Sequence, residues 1–136
     1  MKAGIFKGEL DEESLLRRIA EGNVGALLTF RGVVRPFSEG KRVIKLYYDY
    51  YEELAVKQLE EIRREAIEKF GVIDALVFHR VGEAKVGDLV LFVVVASERR
   101  KNGFEALRWI VDRVKSGVAI WKKEYFEGEE RWVEPD

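Results

Sequence analysis

Residues 89–96, LVLFVVVA, form an unbroken run of eight apolar side chains. A half-buried strand alternates apolar with polar positions. A run with no polar position therefore predicts a strand covered on both faces, at the centre of a sheet. It falls well short of the ~18 apolar residues read as a membrane-spanning helix.

The other segments organise around that strand. Residues 1–7 read as a short strand with Ile5 on its inner face. Residues 11–21 read as a helix, capped by Asp11, with Leu15, Leu16 and Ile19 as its stripe and Gly22 after its end. Residues 25–34, GALLTFRGVV, read as a strand in which Gly32 marks a bulge or a close backbone approach. Arg35-Pro36 ends it, and residues 36–40 read as a loop. Residues 43–51 alternate, which puts Ile44, Leu46, Tyr48 and Tyr50 on one face of a strand. Residues 52–70 form the longest helix, with Leu59, Ile62, Ala66 and Phe70 inward, a solvated charged face outward and Gly71 as its stop. Residues 72–81 are a further strand, and His79 reads as a satisfied strand-end histidine rather than a catalyst. Val86-Gly87-Asp88 turns the chain into the central strand. Residues 120–126 and 131–133 form a final hairpin around 127–130. This order predicts an α+β fold, with helices packed on a mainly antiparallel mixed sheet, and one domain over residues 1–136.

Composition excludes several function classes. With no cysteine, disulfides, thiolate metal sites and cysteine nucleophiles are ruled out. A single histidine argues against an imidazole-based metal cluster, so no metal and no cofactor are expected. The net charge of −1 argues against a dedicated nucleic-acid binder. No N-terminal apolar segment reads as a signal peptide, and the chain is expected in the cytoplasm, off the membrane. A charged fraction of 36% resembles proteins from heat-adapted organisms.

The chemistry is concentrated in residues 97–124, SERRKNGFEALRWIVDRVKSGVAIWKKE. Arg99 and Arg100 precede a helix, Lys115 lies in its last turn, and Lys122 and Lys123 follow. Strands flanking the helix in one sheet would let these cations converge on a small anionic ligand. At about 100° per residue, Phe104, Leu107, Ile110, Val111 and Val114 form the apolar stripe. Lys115 falls at its edge, where an amine snorkels, pairs with a buried carboxylate, or lines a pocket. On the next strand Lys122 and Lys123 face opposite ways. Arg35, beside a strand glycine, reads either as a surface charge or as a guanidinium aimed at a phosphate or carboxylate.

Five blocks, GALLTFRGVVR, YYDYYEELAVKQLEEI, HRVGEAKVGD, SERRKNGFEA and VKSGVAIWKKE, occur in this order over residues 24–134. Together they resemble the large catalytic subunit of molybdopterin synthase. The resemblance implies an α/β-hammerhead fold and a back-to-back homodimer. Each subunit would bind a small ubiquitin-like sulfur-carrier subunit, giving a heterotetramer. That subunit's C-terminal Gly-Gly tail carries a thiocarboxylate, whose sulfur goes to cyclic pyranopterin monophosphate to make the molybdopterin dithiolene, which also serves tungsten enzymes. Carried over by motif, Lys115 and Lys122 are the catalytic and substrate-holding lysines. Val33, Val34 and Arg35 close the FRGVVR block on the substrate side, Arg99 and Arg100 occupy the family's His-Arg pair, and Lys123 and Glu124 border the site.

Three departures stand out. Arg99 replaces the usual histidine, so proton transfer by that imidazole is replaced or dispensable, because an arginine can only bind. Ala119 replaces the usual proline, which would loosen the turn that places Lys122. The sequence stops at Asp136, where family members often continue into a basic tail that reaches the neighbouring subunit, which puts the cross-dimer grip on substrate in question without excluding activity. One alternative is a catalytically impaired dimeric interaction module that still binds the small subunit. It draws on the lost histidine and is opposed by the two lysines and Arg35. Another is a small-molecule-binding or regulatory domain, opposed by the five ordered blocks.

Overall fold

The computed structural model describes residues 1–134. The elements run β1 (Ala3–Phe6), α1 (Glu12–Ile19), β2 (Ala26–Val33), β3 (Phe37–Ser38), β4 (Lys41–Tyr50), α2 (Glu52–Phe70), β5 (Asp74–Arg80), β6 (Gly82–Lys85), β7 (Leu89–Ser97), α3 (Arg100–Gly117), β8 (Ile120–Phe126) and β9 (Glu129–Val133). The fold is α+β. The strands form two sheets rather than the single one expected: β1-β5-β7-β2, and β3-β4-β8-β9 with β6 also paired to β4. Every pairing is antiparallel except β1 with β5.

Strand β7 is buried along its whole length, between β5 and β2. Its side chains alternate between two cores, as the pleat requires. Leu91, Val93 and Val95 pack against Leu59, Ile62 and Ala66 of α2 and Ala106, Ile110 and Val114 of α3. Phe92, Val94 and Ala96 face the opposite way, onto Leu15 and Ile19 of α1. Asp11 caps α1 by accepting from the Ser14 backbone N–H, as its sequence position predicts. Gly71 ends α2 in the left-handed region at φ 66°.

Several assignments differ from the sequence reading. In α3, Phe104 is 62% exposed, and the buried line is Gly103, Ala106, Ile110 and Val114. Gly103 allows this rotation, because a Cβ there would lie 2.5 Å from Leu28 Cδ1. In β4, Ile44 points outward and Val43 is buried, because the β4–β8 register shifts between Val43 and Lys45. That bulge reverses the alternation for Ile44 and leaves Leu46 and Tyr48 inward. Residues 36–40 are not a loop but the start of a hairpin, whose turn places Glu39 and Gly40 at positive φ. The bulge expected at Gly32 is present, as a register shift between Gly32 and Val33. Strand β6 was missed because GEAK carries no apolar alternation of its own; it pairs with Lys45–Tyr48 of β4.

No helix among the described residues is long and apolar enough to cross a membrane. Helix α2 is tied to β5 by Arg63, which donates to the Ala75 carbonyl at 2.8 Å and pairs with Asp74 at 2.7 Å. Burial pushes the Asp74 carboxyl up, but hydrogen bonds from Lys2, Arg63 and the Ala75 N–H outweigh it and hold its pKa below the ordinary 3.8. A depressed folded pKa gives stability that is complete above the unfolded value and lost as the pH falls through the folded one. Asp74→Asn is expected to cost about 2 kcal/mol at neutral pH. In urea unfolding, that gap should close as the pH is lowered from 3.8.

Candidate active site

A cavity of about 700 Å³ opens where the two sheets meet. Its floor is the end of the first sheet, with Phe30, Gly32, Val33, Val34, His79, Val90 and Leu91. The Gly32–Val33 bulge turns the chain there, and Val34 is fixed by its N–H to the Asp88 carbonyl (3.1 Å) and by its carbonyl to the Gly87 N–H (2.9 Å). Arg35 follows directly and reaches the cavity.

The opposite wall comes from the second sheet. Cross-strand partners Leu46 with Glu124 and Tyr48 with Lys122 share one face, and all four line the cavity. Lys115 enters from a third direction, the last turn of α3. Two lysines and an arginine from three elements thus converge, an arrangement suited to a phosphate-bearing ligand.

The turn that delivers Lys122 is not loose, despite Ala119 in place of proline. The Ala119 N–H donates to Gln58 Oε1 at 2.7 Å, and its carbonyl accepts from the Tyr51 N–H at 3.2 Å. A proline has no N–H to make the first of these bonds. Helix α2 therefore anchors the turn directly.

One wall carries an ion-paired network. Arg131 on β9 bonds Glu39 at 2.8 Å and the buried Glu124 at 3.1 Å. It spans from the β3–β4 turn to the cavity wall, and its hydrogen bond holds the Glu39 carboxyl below its ordinary pKa. The Tyr48 hydroxyl is pushed upward, first by burial and then by the nearby Glu124 charge, and stays protonated.

Of the residues singled out from sequence, Val33, Val34, Arg35, Lys115, Lys122 and Glu124 meet at this cavity, while Arg99, Arg100 and Lys123 do not. Arg99 and Arg100 are exposed at the start of α3. The fifteen residues from Arg100 to Lys115 span about 22 Å of helix. Lys123 lies on the reverse face of β8, paired with Glu130 at 2.7 Å between the rings of Tyr125 and Trp132. Sequence reasoning missed Glu39, Arg131 and the cavity position of His79. A lone imidazole at a strand end carries no spacing that links it to lysines far along the chain. Among the described residues no cluster of three or more His, Asp or Glu side chains is placed to hold a metal ion.

A family profile described as MoaE protein matches residues 5–117. The chain belongs to the MoaE family. It is 41% identical over 124 residues to the molybdopterin synthase catalytic subunit of Pyrococcus abyssi, covering 91% of this chain and 84% of that protein. Its fold superposes on the crystal structure of molybdopterin synthase from Staphylococcus aureus with a TM-score of 0.93, at 28% identity and 98% coverage of both chains. It also resembles a chain in the complex of subunits 1 and 2 of the molybdopterin-converting factor from Helicobacter pylori, with a TM-score of 0.78, 26% identity and coverage of 98% and 90%.

Arg131→Ala should destabilise the fold by about 2 kcal/mol, because it leaves the buried Glu124 carboxylate without its hydrogen-bond donor. Adding Glu124→Gln should recover part of that loss, which a double-mutant cycle in urea would measure.

Proposed function

We propose that this chain is the catalytic subunit of a molybdopterin synthase, acting in the cytoplasm as one domain over residues 1–136. It transfers sulfur from the C-terminal thiocarboxylate of a small ubiquitin-like subunit to cyclic pyranopterin monophosphate. The observation that carries this reading is the convergence of Arg35, Lys115 and Lys122 on one cavity in a chain of the MoaE family.

The cations fit both reactants. The substrate phosphate takes guanidinium and ammonium donors, and the same positive field favours the incoming thiocarboxylate anion. Lys115, approaching from a helix end, has the chemical role: a transient adduct with the substrate's carbonyl carbon, or proton transfer during sulfur attack. Lys122, held on a sheet, positions the substrate and stabilises charge. Arg35 binds the anionic end, and Val33 and Val34 wall the site beside it. Glu124 fixes Arg131 at the border, and Lys123 stiffens the hairpin behind. Arg99 and Arg100 are remote from their own cavity, so they serve substrate only through the pairing of two large subunits. That pairing, with one small subunit on each, makes the heterotetramer.

The test is a single-turnover reaction with the small subunit as its thiocarboxylate and cyclic pyranopterin monophosphate, read as the oxidised fluorescent pterin. Wild type should form product, and Lys115→Ala should slow it by about 10²-fold or more. Full turnover by Lys115→Ala would remove the chemical role from that residue. Binding of the small subunit without any product from wild type would replace the synthase reading with that of an interaction module.

A further inference from the structure

His79 sits on β5 between Ile5 of β1 and Leu91 of β7, and its ring meets Tyr48 edge-on at 5.1 Å. Its Nδ1 lies 2.6 Å from the Arg80 carbonyl oxygen. A carbonyl only accepts, so Nδ1 carries the hydrogen, and Nε2 of the neutral ring carries the lone pair. No buried side-chain nitrogen or oxygen among the described residues lacks a hydrogen-bond partner. Among the described residues Nε2 has no such partner, so it opens onto the cavity that His79 lines.

Burial pushes the imidazole down to about 4; the Arg80 carbonyl pulls it back up in part, and the charges of Lys115 and Lys122 add smaller downward pushes. At neutral pH the ring is uncharged. It therefore adds no further cation to the cavity, and Nε2 stays an acceptor. Arg35, Lys115 and Lys122, which line the same cavity, only donate, and the Glu39 and Glu124 carboxylates are charged and paired with Arg131, so His79 supplies an uncharged imidazole acceptor among them.

We infer that His79 Nε2 accepts a hydrogen bond from an N–H or O–H of the substrate's ring system, and so sets which way the heterocycle lies while the cations hold its phosphate. This rests on the sulfur-transfer reading above. A pterin presents ring N–H and amine donors, and a fixed, uncharged acceptor opposite a cationic anchor defines orientation from two ends. The geometry is preset, because the Arg80 carbonyl fixes the tautomer and Tyr48 fixes the ring plane.

The experiment is calorimetric titration of wild type, His79→Leu and His79→Gln with two probes, cyclic pyranopterin monophosphate and inorganic phosphate. His79→Leu should weaken the pterin probe at least 10-fold and leave phosphate within 2-fold. His79→Gln, which keeps an acceptor, should recover the pterin affinity to within 3-fold of wild type. Equal pterin binding by wild type and His79→Leu overturns the inference. Parallel loss of both probes in His79→Leu overturns it in favour of a merely structural side chain, as does failure of His79→Gln to recover affinity. If wild type itself does not bind the pterin probe, the sulfur-transfer reading fails instead.

Discussion

The burial of β7 on both faces is the constraint from which the rest of the architecture follows. A strand with no polar side chain must be covered twice, and this chain does so with α2 and α3 on one side and α1 on the other. Once α3 is committed to that packing, its last turn must end beside the sheet margin. The chain then passes directly into β8, in the second sheet, held there by Gln58 of α2. Lys115 and Lys122 are therefore neighbours for reasons of core packing. The same hydrophobic demand that folds the protein brings these cavity-lining cations together.

The sequence made the frame readable wherever one periodicity governed a whole element. The central strand, α2 from Glu52 to Phe70 and the Asp11 cap of α1 all emerged in place. Reading failed where one residue shifted the phase. Gly103 let α3 approach Leu28, which rotated Phe104 out of the stripe, and the bulge at Val43–Lys45 turned Ile44 to solvent. Neither event leaves a trace in hydrophobic spacing, because each depends on what lies across the interface. The division into two sheets was hidden for the same reason: pairing partners are chosen over long sequence separations.

The site was legible to different depths. Arg35, Lys115 and Lys122 could be proposed from motif blocks, and all three reach the cavity. Arg99 and Arg100, though adjacent in the motif, start the helix that Lys115 ends, so a single chain cannot gather them. His79, Glu39 and Arg131 were opaque because their roles come from surroundings: a carbonyl at Nδ1, a hairpin turn, and a buried carboxylate on the neighbouring strand. Electrostatic function here is a property of tertiary neighbours more than of residue type.

The cavity's walls belong to different sheets, and this gives the molecule an uneven vulnerability. The first sheet is sandwiched by helices, while the second carries its partly exposed β8–β9 hairpin at its margin. Local opening draws on the least-covered segments first. A fluctuation that frays the hairpin would disperse Lys122 and Arg131 while β7 and its helices stay intact. Losing the site therefore need not involve losing the core: the cavity depends on the cohesion of the seam between the sheets in a way that the stability of the whole does not capture.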